Sequence, residues 1–266
     1  MVRGKIEQEK PEYRGIGLFL LWLLLLSLPF YLLGCAMPSS SLVFGLPASA
    51  LMFVVPSIAV MLSSHAEESS RFAWKSFVPA GKKSYILLAI VSVAPATILL
   101  SGQSFIVSGQ FGLAEYPRMI LMFIVFLLPA ALEEIGWSGF LTRNLNRIFG
   151  GLFAALLVGT IWAFWHIIPY YQSGHTSSWV AWQCGFTVLI RVPIATVFLM
   201  NQRGILYAIS IHAATNAAAF ALPGLGVSYD PYWACCLTLP FAVLAATILL
   251  TISNADRDRP KPTRAP

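Results

Sequence analysis

Two adjacent carboxylates, Glu133 and Glu134, close an apolar run that begins at Met119. Two later apolar segments each carry one histidine, His166 and His212, and the second adds Asn216 one helical turn on. A charge at mid-bilayer costs about 2.5–3.5 kcal/mol on insertion scales, so a paired acid in such a run calls for partners or a purpose. The spacing offers both. Glu134 and Ser138, Trp162 and His166, and His212 and Asn216 are each four residues apart, which puts both members of a pair on one helix face. A carboxyl withdrawn from water suits general-base work near neutrality. A histidine beside it can share the proton, orient a water or bind a metal. A His and an Asn one turn apart can donate to a developing oxyanion. Together these groups are the equipment for water attack on an amide. Taken singly they read otherwise: a membrane histidine as a helix-packing hydrogen bonder, Asn216 as interhelical glue, and the glutamates as part of a proton pathway.

The elements that must hold these groups follow from composition. Of 266 residues, 58% are hydrophobic and only 11% charged, with a mean hydropathy of +0.74. A soluble domain carries about 25% charged residues. Such a chain cannot cover a water-facing surface, and the expected fold is all-α: a polytopic membrane bundle. The net charge of +6 is read as a topology signal rather than a nucleic-acid footprint. Runs of about 17–25 apolar residues mark membrane helices, and eight are expected, over Ile16–Ala36, Leu46–Leu62, Tyr85–Leu100, Met119–Phe140, Leu152–Tyr170, Trp179–Met200, Ile205–Leu222 and Tyr232–Ile252.

Lys and Arg recur in alternate connections. They precede the first run (Arg3, Lys5, Lys10, Arg14), lie between the second and third (Arg71, Lys75, Lys82, Lys83), and follow the fourth (Arg143, Arg147) and the sixth (Arg203). Four more occupy the tail, and the intervening loops have none. By the positive-inside rule both termini are cytoplasmic, in a multi-pass protein expected in the plasma membrane of a bacterium. Residues 1–252 read as one membrane domain and 253–266 as a disordered tail rich in Pro and charge. Leu32-Leu33-Gly34-Cys35 resembles a lipoprotein cleavage site, but the run is long enough to span, and an uncleaved first helix is expected. The loop Ser63–Lys83, with Phe72, Trp74 and Phe77 among bases, is expected to lie along the inner membrane surface. The four cysteines read as small hydrophobes.

Two bases fall inside apolar runs. Arg118 is placed at the outer mouth of the fourth, where it can snorkel. Arg191, within the sixth, faces a cavity, an acid (Glu133 or Glu134), or lipid headgroups. Small residues allow close helix approach. They form a stripe on the fifth run (Gly151, Ala155, Gly159, Ala163), cluster on the seventh (Ala213, Ala214, Ala217, Ala218) and flank Trp137 (Gly136, Gly139). Counted at about 1.5 Å per residue from the cytoplasmic ends, Glu133 is about 15 Å deep, His212 about 13 Å and His166 about 24 Å. Counting alone leaves their convergence open.

At these residues the chain resembles the CAAX protease and bacteriocin-processing family, also called the abortive-infection family, of intramembrane proteases. The family signature is EExxxR, then an aromatic-xxx-His motif, then HxxxN or HxxxD, on three successive core helices. Glu133-Glu134-Ile135-Gly136-Trp137-Ser138-Gly139-Phe140-Leu141 is similar to the first, Ile161-Trp162-Ala163-Phe164-Trp165-His166 to the second and His212-Ala213-Ala214-Thr215-Asn216 to the third. The resemblance covers about residues 119–222. It implies an endopeptidase acting on a membrane-associated or lipidated peptide, with Glu133 activating water and His166 assisting. His212 and Asn216 would stabilise the oxyanion, with Glu134, Ser138, Trp162 and Arg191 in support. Family accounts divide between a metal site and a metal-free glutamate site. Glu133, His166 and His212 are the candidate set for a divalent ion such as zinc; the cofactor is left open, as is the oligomeric state, and the partners expected are the bilayer and a peptide substrate.

One departure stands out. Ser138 occupies the place of the signature arginine, so either Arg191 or Arg143 substitutes, or a Glu–Ser bond suffices, or proteolysis is weakened. Ser138→Arg is expected to be tolerated unless the site has been rebuilt around the smaller side chain. Two other readings compete: a non-proteolytic protein of the same fold (a bacteriocin self-immunity or scaffolding factor), and a proton-coupled transporter, which the lack of internal repeats disfavours. An aspartyl protease is set aside because the only aspartates, Asp230, Asp256 and Asp258, lie in a loop and the tail. A rhomboid-like serine site, which needs GxSG, is also set aside.

Overall fold

A computed structural model describes residues 13–37, 47–63, 82–201, 204–224 and 226–257. Among them the chain is helical, with no strand. Helix α1 covers Tyr13–Ala36. A 3₁₀ turn, Ala48–Val54, runs directly into α2, Val55–Ser63, and α3 covers Lys82–Ser108. A short 3₁₀ turn, Leu113–Glu115, opens α4, Tyr116–Glu134. That helix continues through a π-helical stretch, Ile135–Thr142, into α5, Arg143–Phe149. Then follow α6 (Gly151–Gln172), α7 (Ser177–Met200), α8 (Ile205–Ala221) and α9 (Pro231–Arg257).

The chain is an integral membrane protein. Among the described residues five helices are long and apolar enough to cross a bilayer: Tyr13–Ala36, Leu113–Phe149, Gly151–Gln172, Ser177–Met200 and Pro231–Ile252. Of the other three expected spans, two fall on shorter apolar helices, Ala48–Ser63 and Ile205–Ala221, and the third falls on α3, Lys82–Ser108. For α8 the shortness has a physical reason. It packs against α3, α4 and α7, and thirteen of its seventeen residues are buried. A helix apolar on every side is sheathed by protein, so its length need not match the lipid.

Several boundaries differ from the sequence reading. The third helix runs on to Ser108 instead of stopping before Gly102. A Cβ at Gly102 would stand 2.8 Å from Leu237 of α9, so this glycine permits close helix contact and does not break the helix. The fourth runs through Arg143 and Arg147, which the sequence places in a loop, and ends where Gly150 takes φ +82°, a left-handed conformation that glycine adopts without strain. The last helix reaches Arg257, five residues into the expected tail. Arg118 donates from Nη1 to the Ala221 carbonyl at 3.0 Å. It therefore caps the C-terminal end of α8, where a cation is favoured, and is not committed to headgroups. Arg3, Lys5, Lys10, Arg203, the aromatic loop 64–81 and residues 258–266 lie outside the described residues.

Proline helps lock α1 to α6. Pro169 has no N–H to give the carbonyl four residues back, which belongs to Trp165. Tyr31 of α1 donates its hydroxyl to that carbonyl at 2.7 Å, and Trp165 Nε1 donates to Ser27 Oγ at 2.7 Å. Across the bundle the small-residue stripe of α6 is buried in extensive contact with α7. At Gly159 a Cβ would stand 3.0 Å from both Arg191 Cβ and Val188 Cα. Gly159→Leu is thus expected to destabilise the protein by about 1–3 kcal/mol or more through overpacking, seen as a lowered thermal midpoint in detergent. A midpoint equal to that of wild type would show that the α6–α7 approach is not limiting.

Candidate active site

The π-helical stretch begins directly after the glutamate pair and sets the geometry of the site. In an α-helix, positions four apart drift by about 40° per step around the axis. The wider i→i+5 turn opposes that drift, so Glu134, Ser138 and Thr142 stack as one ladder of oxygens. The Thr142 hydroxyl reports the wide turn by donating to the Trp137 carbonyl, five residues back, at 2.7 Å. Ser57 of α2 donates to the Leu132 carbonyl just before the pair. Gly136 lets α2 come this close, since a Cβ there would meet the Pro56 carbonyl oxygen at 2.9 Å.

Arg191 of α7 meets that ladder. Its Nη1 donates to both oxygens of Glu134, at 2.8 and 3.1 Å, and its Nη2 donates to Ser138 Oγ at 2.7 Å and to Thr142 Oγ1 at 3.4 Å. Ser138 in turn donates to Glu134. His212 of α8 places Nδ1 3.0 Å from Glu134 Oε1. Glu134 and Arg191 are both fully buried. Of the alternatives left open for Arg191, the partner is the acid Glu134, and both the arginine substitution and the Glu–Ser bond are in place.

Glu133 has different company. Its Oε2 accepts from Trp162 Nε1 at 2.9 Å and from Trp137 Nε1 at 3.3 Å. It keeps 6% exposure where Glu134 has none. Trp162 is the hub. Its ring lies edge-on to His212 at 4.8 Å and to His166 at 5.9 Å, and the Arg191 guanidinium sits 5.6 Å from its centroid. This settles the depth question that counting left open: both histidines border the same indole. His166 Nδ1 lies 3.0 Å from the Trp162 carbonyl. A carbonyl and a carboxylate oxygen only accept, so each histidine donates from Nδ1, His166 to Trp162 and His212 to Glu134. In both rings Nε2 is then the nitrogen left for a substrate or water. Tyr170 stacks on His166 at 5.6 Å and 19°. Asn216 is half-buried, one turn beyond His212.

The candidate metal set does not assemble. Among the described residues no three His, Cys, Asp or Glu side chains come together as a metal-holding group. Glu133 Oε2 and His212 Nδ1 are already engaged with indole and carboxylate partners. This arrangement gives the metalloprotease expectation no support. The serine argument also changes. Gly136-Trp137-Ser138-Gly139 does spell GxSG, so sequence alone does not dispose of serine chemistry. The geometry does, because the buried Ser138 hydroxyl bridges Glu134 and Arg191 with no histidine on it.

Two participants escaped the sequence reading, Thr142 as a partner of Arg191 and Trp137 as a donor to Glu133. Trp137 stands four residues after Glu133, a signal that was available. Thr142 stands eight after Glu134, a face match that only the π-helical turn creates. Trp162→Phe keeps the ring but removes a donor from a buried carboxyl. A buried hydrogen bond to such a group is worth about 1.5–3 kcal/mol, and a loss of that size is expected in detergent unfolding. An unchanged midpoint would place the indole N–H elsewhere.

Fold and site together define a class: an all-helical integral membrane protein whose paired glutamates and two histidines meet around Trp162 inside the bundle. Residues 115–218 match the family described as type II CAAX prenyl endopeptidase Rce1-like. The curated CAAX prenyl protease 2 of Methanococcus maripaludis is 27% identical over 139 residues, 49% of this chain and 50% of that protein. The chain spans about half the length of that relative. The motif resemblance to CAAX-type proteases is thus shown over the segment that carries the site.

Proposed function

We propose that this protein is an intramembrane endopeptidase that hydrolyses a peptide bond of a membrane-associated or lipidated peptide. The observation that carries the reading is the division of labour in the glutamate pair. Glu134 is spent on Arg191, Ser138 and His212, whereas Glu133 retains exposure beside two indole donors and His166. Glu133 takes a proton from water as the water oxygen attacks the scissile carbonyl carbon. His166, through Nε2, orients that water or shares its proton. Asn216 donates to the oxyanion that forms, His212 does so from Nε2 when its ring carries a second proton, and the proton held at Glu133 passes to the leaving amine. Preorganised donors of this kind supply a large part of the barrier lowering.

A non-proteolytic scaffold of the same fold drew its support from Ser138. That support weakens once Arg191 is seen beside Glu134. In this reading eight crossings leave both termini in the cytoplasm of a bacterial cell, as the Lys and Arg distribution indicates. The test is a comparison of membrane proteomes from cells carrying wild type or Glu133→Gln. An uncut precursor should accumulate in the variant and disappear when wild type is restored. Identical peptide termini in the two membranes would sink the peptidase reading.

A further inference from the structure

The first motif contains no cation, yet its glutamate is fully paired. Arg191 reaches Glu134 from another helix, with one terminal nitrogen on both carboxylate oxygens and the other on Ser138 and Thr142. The same Glu134 Oε1 that takes Arg191 also takes His212 Nδ1, so the guanidinium fixes the carboxylate that fixes the imidazole. Arg191 also lies against the Trp162 ring, whose N–H holds Glu133. Gly159 lies directly against the Arg191 stem, where a Cβ would stand 3.0 Å from Arg191 Cβ. The guanidinium ends 2.7 Å from the side chain of residue 138, one helical turn from Glu134. An arginine growing from position 138 would deliver its head to the volume that the head of Arg191 now fills.

We infer that Arg191 is a positioning residue that supplies from α7 the cation securing Glu134 and, through it, His212, and that positions 138 and 191 are interchangeable carriers of that cation. This rests on the peptidase reading for its kinetic part. The inference also reverses the expectation for Ser138→Arg. Ser138 is fully buried in contact with a guanidinium, so a second arginine alone places two like charges on one carboxylate. That substitution should therefore damage the protein, and pairing it with Arg191→Ser should repair it.

The experiment uses the full chain in detergent and compares wild type, Arg191→Ser, Ser138→Arg and the swap Ser138→Arg/Arg191→Ser. Both single variants should lower the thermal midpoint, and the swap should restore it. With a cleavable peptide, Arg191→Ser should lose about 100-fold in kcat with KM within about threefold, and the swap should return to within about tenfold of wild type. A folded Arg191→Ser with wild-type kcat overturns the inference. So does a swap whose midpoint recovers while its kcat stays as low as that of Arg191→Ser. Should the swap fail to fold, Arg191→Lys decides. A charge without the fork should lose about tenfold in kcat at unchanged KM, and a loss confined to KM would refute the positioning role. Glu133→Gln is carried in parallel. If it and wild type cleave alike, or neither cleaves, the peptidase reading has failed. The midpoint pattern across the four proteins then still tests the placement of the cation.

Discussion

Replacing Glu133 with glutamine is expected to lower kcat on the true substrate by about 10²–10⁴-fold, the range that general-base catalysis supplies, while the protein stays folded. The amide has nearly the shape of the carboxylate, and its oxygen can still accept from Trp137 and Trp162, which now hold Glu133. What it loses is the ability to take a proton from water. Glu134→Gln should behave differently. It removes the partner of a fully buried guanidinium, so its first effect is on the folded protein. Cleavage rates and thermal midpoints of the two variants therefore separate the two roles. Full activity in Glu133→Gln, with the loss confined to Glu134→Gln, would assign the chemistry to the wrong member of the pair.

The site was legible where chemistry depends on residue type and four-residue spacing. Glu134 with Ser138 and Trp162 with His166 are faces that any α-helix would present, and Arg191 links them, bonded to Glu134 and Ser138 and lying on the Trp162 ring. The relation of Arg191 to Glu134 was visible only as a cost: a base in an apolar run needs a partner, but sequence cannot say which of two acids provides it. Thr142 and the run of α4 into α5 were hidden because the π-helical turn departs from the period that the sequence reading assumes. Gly102 is ambiguous for a related reason. Glycine both ends helices and lets them touch, and only the position of Leu237 decides between these. The length of α8 was hidden as well, because apolar composition does not distinguish a helix facing lipid from one enclosed by other helices.

Arg191→Met is expected to be the most damaging single change to stability, at about 3–5 kcal/mol, because it leaves the Glu134 carboxyl buried without its cation. Ser138 and Thr142 lose a donor at the same step. Adding Glu134→Gln should recover much of that loss, since removing both charges of a buried pair is often near neutral, whereas removing one is not. The amide oxygen that Glu134→Gln introduces can still accept from His212, and its NH2 can donate to the Ser138 hydroxyl oxygen. Thermal midpoints of wild type, both single variants and the double variant measure this, and strictly additive losses would show that the pair is not coupled in the folded protein. Stability and turnover should then part company. The double variant regains its fold but loses the anionic partner on His212 Nδ1, so its midpoint should rise while its cleavage rate stays low. A double variant that regained both would mean that the Glu134–Arg191 pair serves packing alone.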